Sequence, residues 1–266
     1  MLLAALLVLS ACAQPDPTDK PPGERADTLR ILAYNIHHGA GMDEVLDLDR
    51  IAALIREVNP DLVALQEMDS VVTRTGGVDQ MATLGRLTGL QPLFGRFMAY
   101  QGGAYGMGIL SGWPVERHVN HRLPDGDEPR TVLAAHVKSP ETGRLLRFVS
   151  IHFYRTEEER LAQAIRMEEL LNAEPQTTIL AGDYNSLPGD RVIQHLKQNW
   201  SFVDKGADRL TFPSFGPERE IDYFAFTPGS GLRVVNQYLI DEPVISDHRP
   251  LVVELVWENP PNPSEH

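Results

Sequence analysis

Apolar and polar positions alternate along this chain in short runs whose period changes from one run to the next. Residues 29–34 are apolar enough for a buried strand. Within 48–58, Ile51, Leu54, Ile55 and Val58 recur at helical spacing; Asp47 can cap that helix, and Asn59-Pro60 stops it. A short apolar strand follows at 61–65, then a second helix at 79–87 ended by Gly89. Residues 108–110, 131–137 and 145–151 predict strands, with Thr142-Gly143 turning the last two into a hairpin. Residues 157–171 predict a helix whose pitch is set by Leu161, Ala164, Ile165, Glu168 and Leu171. A strand at 177–180, a short helix at 191–196 and strands at 221–226, 232–238 and 251–256 complete the pattern. Strands outnumber helices, and hairpins mix with β-α-β steps. The pattern predicts one α/β domain built on two sheets rather than a purely parallel, doubly wound sheet.

Outside that domain the composition changes. The apolar run at 1–9 is too short to span a bilayer, which takes about 20 residues, and reads as the apolar part of a secretory signal. Leu9-Ser10-Ala11-Cys12 resembles a bacterial lipobox, in which the cysteine becomes the lipidated first residue of the mature chain. No Lys or Arg precedes the run, which departs from that pattern. Pro15, Pro17, Pro21, Pro22 and Gly23 then alternate with charges, as in an extended tether, and Pro260-Pro261-Asn262-Pro263 forms a similar tail. The expected organisation is a signal at 1–11, lipidated Cys12 and tether at 12–28, a folded domain at 29–257 and a tail at 258–266. It places the protein at the bacterial cell envelope, lipid-anchored to a membrane. Cys12 is the one cysteine, which rules out an intrachain disulfide and a cysteine-based zinc site.

Lys and Arg number 24 against 37 Asp and Glu, a net charge of −13. That balance argues against tight non-specific binding to a polyanion, which needs several cationic contacts to phosphates. It leaves room for a local basic groove.

Polar and charged residues recur where the predicted strands end. Asn35 follows Leu32-Ala33-Tyr34; Gln66-Glu67 follow Leu62-Val63-Ala64-Leu65; His152 follows Phe148-Val149-Ser150-Ile151. Asp183 and Asn185 follow Ile179-Leu180-Ala181-Gly182, Asp222 opens the Tyr223-Phe224 run, and Asp247-His248 precede the last strand. If the strands are neighbours, these ends converge on one rim. The inventory is hard oxygen ligands, two histidines and amide donors, which suits Mg²⁺ or Mn²⁺. Asp183 and Asn185 lie two apart, so on an extended strand end both would face one side.

The ordered set Tyr34-Asn35-Ile36, Leu65-Gln66-Glu67, Ser150-Ile151-His152, Gly182-Asp183-Tyr184-Asn185, Ile221-Asp222-Tyr223 and Ser246-Asp247-His248-Arg249-Pro250 resembles the endonuclease/exonuclease/phosphatase superfamily. That group includes deoxyribonuclease I, apurinic endonucleases, neutral sphingomyelinases and inositol-polyphosphate phosphatases. The resemblance implies a deoxyribonuclease I-like, four-layer α/β sandwich with two packed mixed β-sheets flanked by helices. It also implies roles. Glu67 resembles the principal metal ligand, with Asn35 beside the metal or the phosphate and Asp247 as a second metal-side ligand. Asp183 resembles the carboxylate that orients the nucleophilic water, and Asn185 the amide on a phosphoryl oxygen. His248 resembles the general base or the partner of the attacking water, Asp222 its orienting carboxylate, and His152 a phosphoryl-oxygen donor.

One position departs from the nuclease branch, which often carries Asp two residues after the first Asn; here it is His37, which can coordinate metal or contact substrate. Arg74 is either a phosphate anchor or a surface charge, and Tyr105 is a rim residue on the substrate side. Gly102, Gly103, Gly106 and Gly108 allow close backbone approach to a ligand or form an ordinary turn. Asn35-Ile36-His37 with Asn59-Pro60-Asp61 also resembles a branch associated with remodelling of glycosylphosphatidylinositol anchors, which points toward lipid or glycolipid esters. The leading expectation is a divalent-metal-dependent phosphodiesterase or phosphatase, acting as a monomer on a phosphate-ester substrate. A secreted nuclease is the alternative, with nucleic acid possible but not favoured, and a non-catalytic binding protein comes third.

Overall fold

Alternation along the central strands decides the layering. The computed structural model describes residues 28–258. The predicted signal, Cys12, the tether up to residue 27 and the tail from 259 onward lie outside the described residues.

In chain order the elements are β1 (Thr28–Asn35), α1 (Leu48–Val58), β2 (Leu62–Ser70), α2 (Gln80–Thr88), β3 (Gln91–Tyr100), β4 (Gly103–Ser111), β5 (Val115–Arg122) and β6 (Thr131–Lys138). There follow β7 (Leu145–His152), α3 (Glu157–Asn172), β8 (Thr178–Asp183), α4 (Arg191–Leu196), β9 (Ser201–Phe202), β10 (Asp222–Phe226), β11 (Leu232–Leu239) and β12 (Leu251–Trp257). Thr28, counted with the tether by composition, is the first residue of β1. Two six-stranded sheets result, ordered β11-β12-β1-β2-β4-β3 and β5-β6-β7-β8-β10-β9. Both are mixed: β1–β2 and β7–β8 are parallel, and their other pairs are antiparallel.

Successive side chains on a strand point to opposite faces. Ile31, Ala33, Leu62 and Ala64 of the first sheet therefore meet Ala135, Phe148, Ile179 and Phe224 of the second in a central core. Their alternates face outward. Leu32, Tyr34, Val63 and Leu65 pack under α1 and α2, while Val149, Ile151, Leu180 and Tyr223 pack under α3 and α4. The order helices, sheet, sheet, helices is the expected four-layer sandwich. Asp47 caps α1 by accepting from the Arg50 amide (3.1 Å), and Asp79 caps α2 by accepting from that of Ala82 (3.0 Å). On α3 the helical pitch is only partly obeyed: Ile165 is exposed, whereas Glu168 is buried and accepts from Trp200 Nε1 at 2.9 Å.

Two β-α-β steps position the site. Because β1–β2 and β7–β8 are parallel, their C-terminal ends lie on the same side: Asn35 pairs with Gln66, and His152 with Asp183. The antiparallel β10 starts at this edge, with Asp222 opposite Asp183, and β12 begins just after His248. A buried bond from Gln66 Nε2 to Ser150 Oγ (3.2 Å) joins the two sheets behind it.

The glycines at 102–108 serve packing. Gln101 and Gly102 both have positive φ and make the two-residue turn between β3 and β4. A Cβ at Gly106 would lie 2.1 Å from the Gly95 carbonyl oxygen, and one at Gly108 would lie 2.2 Å from Met81 Sδ. Neighbouring protein, not a ligand, fills that space.

Candidate active site

Glu67 reaches the rim through a break in β2. Leu65 pairs with Gly108 and Met68 with Gly106, so Gln66 and Glu67 together oppose the single residue Met107. This bulge turns Glu67 to a φ of 60°, which a non-glycine residue adopts at a cost of roughly 1–3 kcal/mol. Glu67 leaves the strand register and faces the neighbouring ends. Asn35, fully buried at the end of β1, donates from Nδ2 to Glu67 Oε1 (3.1 Å) and to Asp183 Oδ2 (3.2 Å). Its own Oδ1 accepts from the His37 amide (3.1 Å), which fixes the amide's orientation.

Asp183 ends β8 in the centre. Its Oδ1 accepts from the Asn185 amide at 2.7 Å; His152 Nε2 and His248 Nε2 lie 3.6 and 3.7 Å from Oδ2. Asn185 joins it by a different route from the one its spacing predicts. The strand stops at Asp183, and Asn185 is left-handed (φ 49°), so a turn closed on the Asp183 carboxylate, not strand alternation, brings the two together. Asn185 Nδ2 also donates to the Phe153 carbonyl (3.0 Å).

His248 Nδ1 lies 2.9 Å from Asp222 Oδ2, and both groups are buried. Ser246 holds the loop: its Oγ donates to the Asn35 carbonyl (2.7 Å) and accepts from the His248 amide (3.4 Å). Asp222 is braced in turn. The buried Lys205 Nζ donates to the Asp222 carbonyl (2.6 Å), and the Asp222 amide donates to Thr211 Oγ1 (3.3 Å).

Burial drives the charges. It pushes His248 down, but the Asp222 and Asp183 carboxylates overcome it and the imidazole ends well above its ordinary value. Burial pushes the Asp183 carboxyl up, against the opposing pull of His248. His152 is held well below its ordinary value by burial, then by Arg130 and His248, so it is a neutral imidazole near pH 7.

Glu67, Tyr105, His152, Asp183, Asn185, Asp247 and His248 line one cavity of about 380 Å³. Asn35 and Asp222 stand behind it as partners of Asp183 and His248. Arg74 does not line it. Its guanidinium makes a two-pronged pair with the buried Asp69 (2.7 and 2.9 Å) and lies 4.8 Å from the Tyr100 ring centroid. His37 sits just beyond, where a ligand nitrogen of His37, one of His38 and a Glu67 oxygen lie within 4.8 Å of one another.

The cavity also holds residues that the strand-end pattern misses. Arg130, Arg155 and Arg219 line the wall, with Glu128, Tyr154 and Phe212. Arg130 is 4% exposed, pairs with Glu128, and lies 4.8 and 5.4 Å from the Phe97 and Tyr154 ring centroids. Its buried Nε has no partner. Arg219 lies 4.4 Å over Phe212, whose ring meets His248 edge-on at 4.9 Å. The signal was proximity: Arg155 follows His152 by three residues, Arg219 precedes Asp222 by three, and Arg130 precedes β6. The cavity brings together carboxylates that can hold a cation, guanidinium groups that can hold an anion, and the His248–Asp222 pair that can move a proton.

Residues 32–248 match the model of the Endonuclease/Exonuclease/phosphatase family. The uncharacterized protein YbhP of Escherichia coli K12 is 25% identical over 245 residues, spanning 86% of this chain and 96% of that protein. Solved structures share the fold, and two illustrate it. An endonuclease/exonuclease/phosphatase from Beutenbergia cavernae has a TM-score of 0.73 at 24% identity, covering 88% of this chain and 72% of its own. The mannosyl-6-phosphatase Bt3783 of Bacteroides thetaiotaomicron has a TM-score of 0.70 at 19% identity, covering 86% and 99%.

Proposed function

Because the chain belongs to the endonuclease/exonuclease/phosphatase family, we propose that it is a divalent-metal-dependent phosphoester hydrolase of the bacterial cell envelope, acting on lipid, glycolipid or small phosphate esters. One observation carries the reading: the run of polar contacts Asp222–His248–Asp183–Asn35–Glu67 opens onto a single cavity that three arginines also line.

The donor set fits a divalent ion. Glu67 turns a half-buried carboxylate toward the cavity, with Asp247 lining the same cavity and Asn35 beside Glu67. Mg²⁺ or Mn²⁺ held there would polarise a phosphoryl oxygen. In this reading His248, held by Asp222, takes the proton of the attacking water, and Asp183 orients that water. Asn185 and neutral His152 hold phosphoryl oxygens, and Arg130, Arg155 and Arg219 meet the substrate's negative charge. A cavity of this size suits a phosphate with a headgroup- or sugar-sized substituent. The similarity to a mannosyl-6-phosphatase supports that class, and the net charge of −13 does not favour a polyanion.

The test is a substrate panel with Mg²⁺, Mn²⁺ or chelator: a chromogenic phosphodiester, phosphomonoesters including sugar phosphates, phospholipids, RNA and plasmid DNA. Chelator-sensitive ester cleavage with weak plasmid nicking is expected. Nicking well above small-ester and lipid turnover would favour a nuclease, and metal binding without turnover on any substrate would favour a binding protein. The lipobox-like Leu9-Ser10-Ala11-Cys12 supports the envelope location. Cys12→Ser should move the protein from the membrane fraction to the soluble one; unchanged membrane association would count against lipidation.

A further inference from the structure

The turn after β1 is built in an unusual way. His37 and His38 both have positive φ (47° and 46°), and Gly39 continues at 81°. Two consecutive non-glycine residues in the left-handed region need support from outside the turn. The fully buried Gln80 supplies it: Nε2 donates to the His38 carbonyl (2.6 Å), while Oε1 accepts from the Asp69 amide (2.8 Å). The turn closes with the Ala40 amide on the His37 carbonyl (3.0 Å). The result is two imidazoles side by side, ring centroids 4.5 Å apart, next to a glutamate that is itself left-handed in a bulge. Three strained positions converge on one point.

The unused ring atoms say what that point is for. His37 Nδ1 lies 3.1 Å from the Ala40 carbonyl oxygen, an acceptor only, so Nδ1 carries the hydrogen and Nε2 is left with its lone pair. A backbone carbonyl fixing one ring nitrogen is the usual support of a metal-bound histidine. His38 Nδ1 is buried with no hydrogen-bond partner. Ligand atoms of both histidines and Glu67 lie within 4.8 Å of one another. The nearby cationic side chain is compensated: Arg74 is paired through both prongs with Asp69.

We propose that His37 and His38 join Glu67 in a nitrogen-and-oxygen metal site that selects a transition ion of the Mn²⁺, Co²⁺ or Zn²⁺ kind over Mg²⁺. All-oxygen sites suit Mg²⁺, whereas imidazole ligands raise affinity along the first-row series. The inference deepens the metal-dependent reading above and rests on it for its place in catalysis, but metal binding can be measured separately.

The experiment uses the full chain, stripped of metal and titrated with Co²⁺ by visible absorption and with Mn²⁺ and Mg²⁺ by calorimetry. The variants are His37→Asn, His38→Asn and the pair. Asparagine tolerates left-handed backbone, so these changes remove the ring while keeping the turn. Wild type should bind Mn²⁺ about tenfold or more tightly than Mg²⁺, and the double variant should bring the ratio near parity with altered Co²⁺ bands. Unchanged Co²⁺ spectra and an unchanged Mn²⁺/Mg²⁺ ratio in the double variant would overturn the site. Turnover with Mg²⁺ in such a protein would leave the hydrolase reading intact. Histidine-dependent Co²⁺ bands without turnover on any ester would uphold the site and remove the hydrolase.

Discussion

Asp183→Asn should lower kcat for phosphate-ester cleavage at least ~100-fold while leaving the thermal midpoint unchanged or raised. The two halves of this result have one cause. Asp183 is 1% exposed, and burial is the largest influence on its carboxyl, pushing the pKa up. A carboxyl whose folded pKa lies above its unfolded one binds a proton more tightly in the folded state. Stability therefore falls as pH rises from the ordinary carboxylate range through the raised value, and above it the charge opposes folding. The fold tolerates this charge because of what surrounds it: an Asn35 amide, the Asn185 amide and imidazole nitrogens of His152 and His248 at 3.6 and 3.7 Å. Asparagine keeps the volume and removes the charge. A variant that lost stability and activity together would make Asp183 a structural residue. Near-native turnover would remove it from the proposed chemistry. Steady-state kinetics on the best ester of the panel, with thermal unfolding by circular dichroism at two pH values, separates these outcomes.

How much of this site was legible in the sequence depends on whether a residue is placed by its own strand or by a partner far away. Asn35, His152 and Asp183 end strands whose apolar runs are buried on both faces, so the runs themselves announce the ends. The strands that the pattern misses, β3, β5 and β9, all lie at sheet edges. An edge strand has a neighbour on one side only, and β5 carries the exposed Glu116, Arg117 and His118 instead of an apolar alternation. Pro92 and Gly95 interrupt the apolar pattern of β3 without breaking the strand. The arginines carry only the weak signal of proximity for a different reason: what buries Arg130 is Phe97 and Tyr154, 33 and 24 positions away, packing against its guanidinium. Arg74 shows the reverse: a cation beside the site in sequence terms is consumed by a buried aspartate. The left-handed histidine pair has no sequence signal beyond the adjacent Gly39, because its conformation is imposed by Gln80 from α2.

His248→Ala is expected to reduce kcat at least ~100-fold, Asp222→Asn nearly as much, and the double variant no further than His248→Ala alone. The argument is geometric. Asp222 touches the cavity only through the ring: its Oδ2 lies 2.9 Å from His248 Nδ1, and its backbone is pinned by Lys205 and Thr211. If its role is to fix which nitrogen carries the hydrogen and to stabilise the charged ring, it has nothing to do once the ring is gone. Asparagine can still reach Nδ1, so the fold should survive, but it offers no charge and permits the wrong tautomer. The pH profile gives an independent readout. Burial pushes the His248 pKa down and the two carboxylates lift it above its ordinary value, so the base form grows as pH rises through that value. Activity of the native enzyme should climb with pH on the alkaline side of neutrality. With Asp222 neutralised, burial regains its weight, the imidazole titrates lower, and the same climb should begin at lower pH on a much reduced plateau. Losses that add in full in the double variant, or a profile that does not move in Asp222→Asn, would separate the two residues and leave the proton transfer without its base.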